Sequence, residues 1–312
     1  MRMPLLAAVT MGYGHLRAAW ALADRLGVEV VAVDRAEVAG TREARFWSRH
    51  RAGYELLSRL SQRPRLGGPF RALLERLTAI APLAPGADLT TADFASRRLQ
   101  RLVDRGLCRR LLDRLEAERR PLLTTFYAPA IAADRAHCVP VYCGICDADI
   151  NRVWVASDPA QSHVLYLAPC GRVARRLRQY GVPDSSVFVT GFPLPRENIG
   201  GPGMPTLKRD LLRRLARLDR TGRFAAVFGP SVRELLGEEP PPEDRDVPVT
   251  VTFAVGGAGA QSEIGVALAG SLRPAIRDGW LRLALVAGVN PRIEEGFRAA
   301  VTRLGLEDAL GH

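Results

Sequence analysis

Residues 5–34 narrow the choice of fold more than any other part of the chain. An apolar run, Leu5-Leu6-Ala7-Ala8-Val9, leads into Gly12-Tyr13-Gly14-His15, and apolar residues then recur at Leu16, Ala19, Trp20, Leu22, Ala23 and Leu26. A run fit for burial on both faces, a tight glycine turn and a 3.6-residue period predict a parallel strand feeding a helix. Val28 to Asp34 supplies a second strand after a crossover of suitable length. Further strands are predicted at Pro121–Phe126, Val139–Cys146, His163–Ala168 and Val187–Pro193, with helices at Ala128–Ala136 and Gly171–Tyr180 between them. Such alternation predicts an open α/β sheet. Chemistry in these sheets gathers at the carboxyl ends of strands, which puts the first glycine turn at a cleft.

Several segments interrupt this pattern. Residues 41–80 hold nine arginines against three glutamates, which is +6 of the chain's net +11. Phe46, Trp47, Tyr54, Leu56, Leu57, Leu60 and Phe70 lie among them at roughly helical spacing. Apolar stripes usually face a core, so a helical hairpin packed on the sheet is the first reading. The second is a helix resting on an anionic membrane surface. Nucleic acid ranks third and is not expected as a partner, because no recognised motif accompanies the charge. Residues 93–118 continue as a helix broken near Gly106.

At 312 residues and 47% hydrophobic content the chain can bury a sizeable core and form two domains. It has no apolar run long enough to span a bilayer and no signal-peptide pattern, and its five cysteines do not form a disulfide framework. Those features predict a cytoplasmic protein. Cys143-x-x-Cys146 lies in a predicted strand without a second pair or histidines, so it reads as structural rather than metal-binding. Asp34 ends the second strand. The third glycine of a dinucleotide fingerprint is missing, and Asp34 reads as a charged strand end in solvent. Asp147 and Asp149 close the Val139–Cys146 strand, where a carboxylate can orient a hydroxyl or a histidine, or simply serve a loop.

The order of these signals resembles the GT-B glycosyltransferases, specifically the branch with diacylglycerol sugar transferases and the peptidoglycan N-acetylglucosaminyltransferase. The matching pieces are Gly12-Tyr13-Gly14-His15-x-Arg17-Ala18-Ala19, Asp147 to Trp154, Tyr166-Leu167-Ala168-Pro169 with its helix and Gly181-Val182, and Val189-Thr190-Gly191-Phe192-Pro193. The resemblance implies two Rossmann-like domains facing a cleft, the first taking the acceptor and the second a nucleotide sugar. Residues 1–195 would form the acceptor side, with basic helices inserted at 41–118. Residues 196–247, rich in glycine and proline around a basic helix at Leu207–Leu218, read as a linker.

Residues 248–312 would begin the donor side. A strand at Pro248–Val255 ends in Gly256-Gly257-Ala258-Gly259-Ala260-Gln261, and a helix at Ile264–Ile276 follows. Backbone amides of such a loop can receive a diphosphate, although close packing alone can also require glycines. A second strand at Trp280–Gly288 and a helix at Arg292–Leu304 complete only two β-α units, so the second domain is expected to be incomplete. A piece of a longer protein, without transferase activity by itself, is the expectation.

The resemblance implies sugar transfer with inversion from a nucleotide-sugar donor to an acceptor hydroxyl, lipid-linked or other, at the inner membrane face. It implies no metal and no cofactor besides the donor substrate. His15 would be the base, kept neutral by the helix N-terminus, with capping of its own helix as the alternative role. Asp147 or Asp149 would orient it or replace it. Gly12, Tyr13, Gly14 and Arg17 would meet the acceptor, and Gly256, Gly257, Gly259 and Gln261 the donor. A nucleotide-sugar epimerase and a non-catalytic GT-B-like binding protein are the rival readings.

Overall fold

The computed structural model describes residues 2–10, 13–61, 67–84, 87–138, 140–256, 261–288 and 291–309. The chain forms two compact units, Met1–Asn198 and Ile199–His312.

The first unit is an α/β layer structure built on a six-stranded, all-parallel sheet. Its strands are β1 (Leu5–Ala8), β2 (Val30–Ala32), β3 (Leu122–Thr124), β4 (Val141–Gly144), β5 (Val164–Ala168) and β6 (Val187–Val189), in the spatial order β2-β1-β3-β4-β5-β6. The order is compatible with a Rossmann-like fold. β1 sits second from the edge, pairing Leu6 with Val30 on one side and with Leu123 on the other. All four β1 residues are buried, as an uninterrupted apolar run between two helical layers requires. The helices are α1 (Tyr13–Leu26), α2 (Ala36–Ser61), α3 (Gly67–Thr78), α4 (Phe94–Asp104), α5 (Arg109–Glu118), α6 (Tyr127–Arg135) and α7 (Gly171–Gln179), followed by the short α8 (Arg196–Ile199). α6 packs by shape: Ala128 to Ala133 are all buried, so its backbone lies close on the sheet.

The basic stretch is helical on both sides of residues 62–66, which lie outside the described residues. α2 is kinked at Gly40, whose φ of 78° and ψ of 162° no helix accommodates. Trp47 is 4% exposed in the sheet's core, Phe46 packs against that core, and Leu56 is 58% exposed. The core-packing reading therefore holds for the first turns of the stripe and fails at Leu56. α4 and α5 are separated at Gly106, whose φ of 96° suits glycine.

The second unit opens with two helices, α9 (Pro205–Leu218) and α10 (Arg223–Leu236). The linker reading of 196–247 did not anticipate α10. Next come β7 (Val249–Ala254), α11 (Ser262–Ser271), α12 (Arg273–Arg277), β8 (Leu281–Val286) and α13 (Pro291–Arg303), with β7 and β8 forming a two-stranded parallel sheet. The helix expected over 264–276 is thus two helices, divided at Leu272 just ahead of Pro274, which supplies no amide hydrogen to continue the ladder. Val255, Ile293 and Phe297 centre this unit's core, with Phe253 and Leu285 packed on them. A Cβ on Gly265 would meet the Phe253 and Phe297 rings at 2.8–2.9 Å, so a glycine is what lets α11 lie this close. Among the described residues no helix is long and apolar enough to cross a membrane.

Candidate active site

The chain leaves β1 for β2 on one side and reaches β3 on the other, so the sheet changes direction between β1 and β3. Connections above those two strands diverge and leave a crevice at their carboxyl ends, the usual place for a ligand in open α/β sheets. His15, in the first turn of α1, and Thr125, one residue past β3, stand on its two sides. His15 Nδ1 lies 2.9 Å from the Thr125 carbonyl oxygen, and the Thr125 hydroxyl donates to the His15 carbonyl at 3.1 Å. Thr125 is itself anchored by its amide on the Ala7 carbonyl, 3.3 Å away.

A carbonyl only accepts, so Nδ1 carries the hydrogen and Nε2 of the neutral ring carries a lone pair. The Phe126 ring meets the imidazole edge-to-face at 5.1 Å, and Trp154 lies at 6.0 Å. Tyr127 stacks on Phe126 at 4.3 Å and meets Trp154 at 5.3 Å, which completes an aromatic wall. Trp154 is held from behind. Its carbonyl accepts from the Tyr166 hydroxyl, and buried Arg152 donates to the carbonyls of Thr90, Val155 and Ala156.

The electrostatics follow from this wall. Burial pushes the His15 pKa below the ordinary imidazole value, against the opposing pull of Asp147 and the Thr125 bond. Asp147, three residues beyond Gly144 at the end of β4, is pushed the other way: burial raises it and His15 offsets part of the rise. The two shifts move the groups toward each other, burial acting on both and their mutual attraction opposing it. Burial, with the Asp147 charge added, lifts the Tyr127 hydroxyl and the Cys146 thiol each to about 12, which keeps both neutral beside the pair.

Asp149 is differently placed. Arg176 clasps it with Nε at 2.9 Å and Nη2 at 3.1 Å, Arg172 Nε adds 2.9 Å, and the Ile150 amide donates at 2.9 Å. Burial alone would raise its pKa; these donors outweigh that and hold it low. Asp149 is an anchor for the β4 loop, and its lone pairs are engaged, which leaves Asp147 as the carboxylate near the imidazole. Asp34 is likewise engaged rather than free in solvent: it accepts from the Thr10 amide at 3.0 Å and from the Thr10 hydroxyl, tying β2 to the turn after β1.

Of the acceptor candidates, Gly12 lies outside the described residues. Tyr13 is exposed and meets Trp20 edge-to-face at 5.7 Å. A Cβ on Gly14 would touch nothing within 4 Å, so packing does not demand glycine there. Arg17 donates to Asn198 at 3.0 Å in an exposed contact. On the donor side Gly257 and Gly259 lie outside the described residues. Gly256 is exposed with open space at its Cα, and Gln261 adopts a left-handed φ of 64° as the residue preceding α11. No side chain caps α11, but Glu263 stands in its first turn and subtracts from the attraction its amides offer an anion. Cys143 is buried in β4, where burial raises its pKa, while Cys146 is half-buried past the strand's end. Among the described residues no group of His, Cys, Asp or Glu side chains is placed to hold a metal.

Thr125, Phe126, Tyr127, Arg172 and Arg176 were not singled out from the sequence. The aromatic pair Phe126-Tyr127 directly after a strand was a usable signal; a backbone acceptor such as the Thr125 carbonyl leaves none. Comparison with protein-family models, with curated proteins and with solved structures yields no match for this chain.

Proposed function

We propose that this chain belongs to a GT-B-type glycosyltransferase that moves a sugar from a nucleotide-sugar donor to an acceptor hydroxyl with inversion, and that His15 is the base. The observation that carries this reading is the His15 imidazole fixed through Nδ1 on the Thr125 carbonyl between the diverging ends of β1 and β3. An acceptor hydroxyl hands its proton to Nε2 while its oxygen bonds to the anomeric carbon. The bond from that carbon to the nucleoside diphosphate breaks, and the diphosphate leaves with the electron pair. Asp147 stabilises the imidazolium that forms. A general base of this kind contributes roughly 10²–10⁴-fold.

The aromatic wall of Phe126, Tyr127 and Trp154 supports an acceptor that presents apolar CH surface beside its hydroxyl, as sugars and lipid-linked sugars do. Donor phosphates fall in this reading to Gly256, Gln261 and the amides opening α11. A lipid-linked acceptor would bring the exposed Leu56 of α2 toward an anionic membrane surface, with no metal taking part.

The test uses the natural polypeptide that contains this sequence, with labelled nucleotide sugars and a total lipid extract as acceptor. Transfer is expected, and His15→Ala lowers it about 10²–10⁴-fold without loss of fold. Unchanged turnover in that variant would remove His15 as base, and absence of transfer from every nucleotide sugar would overturn the function.

A further inference from the structure

A cavity of about 490 Å³ lies in the first unit between the start of α2 and the corner where α4 ends and α5 begins, and it shares no lining residue with the crevice at His15. Small-molecule sites occupy about 300–1,000 Å³. Four arginines line it: Arg42 from α2, Arg105 from the corner, and Arg109 and Arg110 from α5. Arg109 is paired with Asp113 at 3.0 Å. Among the described residues the side chains of Arg42, Arg105 and Arg110 make no ion pair and no hydrogen bond.

The acids of these helices do not supply the missing counter-charges. Asp104 is engaged by Arg135 at 3.2 Å, Glu118 by Arg114 and Arg120, and Glu37 and Glu116 border other cavities. Glu43 is the one carboxylate in the lining among the described residues, and its Oε1 accepts from the Trp47 indole at 3.1 Å and the Cys108 amide at 3.0 Å. Three cations against one anion leave the cavity at +2. The backbone makes room for one of them: a Cβ on Gly40 would lie 2.8 Å from Arg110 Cζ and 2.9 Å from Nη1, so the guanidinium rests on the kink of α2 where the positive φ suits glycine. Phe46, Leu102 and Leu107 add an apolar wall beside the arginines.

A planar guanidinium fork matches phosphate oxygens two at a time, and a phosphate monoester carries about −1.5 to −2 at pH 7, which balances the +2 of the cavity. The apolar wall calls for an organic body on that group. We propose that this cavity binds a phosphate monoester with an apolar body through Arg42, Arg105 and Arg110, at a site separate from the crevice and independent of the sugar-transfer reading.

The probes are phenyl phosphate and dihexanoyl phosphatidic acid below its micelle concentration, titrated calorimetrically into the whole chain at about 0.15 M salt. Saturable binding is expected, and the tighter of the two probes tells a free metabolite from a lipid headgroup. Benzoate, a monoanion with the same ring, should bind about tenfold more weakly than phenyl phosphate. Arg105→Gln and Arg110→Gln alter exposed side chains, so the circular dichroism should be unchanged while each weakens binding about tenfold. Arg97→Gln removes the same charge from an exposed position of α4 outside the cavity and should leave binding within about twofold. In nitrogen-15 NMR the indole signal of Trp47, which reaches the cavity through Glu43, should shift on binding while that of Trp154 stays in place. Absence of saturable binding by both phosphates would overturn the proposal. So would equal binding of benzoate, an equal loss in Arg97→Gln, or a shift at Trp154 instead of Trp47. None of these readouts needs a sugar donor, so the outcome is separable from that of the transfer assay.

Discussion

Replacing Asp149 by alanine separates an anchoring carboxylate from a catalytic one. Arg176 has no side-chain exposure, and Asp149 supplies its two charge-assisted hydrogen bonds. Without Asp149 the guanidinium keeps, among the described residues, the Gln179 side-chain oxygen at 3.4 Å and the Tyr180 ring at 5.8 Å. Breaking a buried ion pair by removing one partner costs about 3–5 kcal/mol, because the other charge stays buried and unmatched. The Asp149 end of the pair reaches solvent, with Arg172 half exposed beside it, so the lower end, about 3 kcal/mol, applies. For a unit of this size each kcal/mol moves the midpoint by about 2–4 °C, which gives a fall of about 6–12 °C.

Thermal unfolding followed by tryptophan fluorescence reports mainly on the first unit, which holds Trp20, Trp47 and Trp154 of the chain's four tryptophans. Asp149→Ala/Arg176→Met, with no charge left to bury, should recover part of the loss. A midpoint within about 2 °C of wild type in Asp149→Ala, equivalent to under about 1 kcal/mol, would refute the anchoring argument.

Two other outcomes follow from the packing and the electrostatics. Gly265→Ala drives a methyl against the Phe253 and Phe297 rings and should cost the second unit about 1–3 kcal/mol, read as a lower urea midpoint; an unchanged midpoint would mean that α11 shifts freely. The His15 pKa is lowered in the fold, so as pH falls below the ordinary 6.5 the unfolded chain takes the proton first and stability declines, with His50 adding in the same direction. His15→Phe should flatten the loss of urea midpoint between neutral pH and pH 5.5, and an equal slope in both proteins would contradict the burial of a neutral imidazole.

Much of the first unit could be read from its sequence because its strands are apolar at nearly every position and its glycines sit where the chain turns. β1 and α1 needed nothing beyond that pattern. α10 escaped because Gly229-Pro230 lies in its middle and its buried face is built partly from small residues, so the period that marks a helix is faint. Arg176 escaped for a different reason. In an arginine-rich helix nothing local distinguishes it from Arg172 or Arg175, and only the fold brings Asp149 to it across 27 positions. The candidate site divides in the same way. His15 and Asp147 stand beside recognisable turns, whereas the acceptor that fixes the imidazole is the Thr125 carbonyl, 110 residues away and invisible to any reading of side chains.

The account turns on the state of one imidazole, and nitrogen-15 NMR of the His15 ring across a pH titration measures it without any substrate. A neutral ring with hydrogen on Nδ1 at pH 7 and a midpoint below 6.5 is predicted, moving lower still in Asp147→Asn as the carboxylate's pull is removed. A ring protonated at pH 7, or a neutral one with its hydrogen on Nε2, would contradict the assignment of His15 as the base.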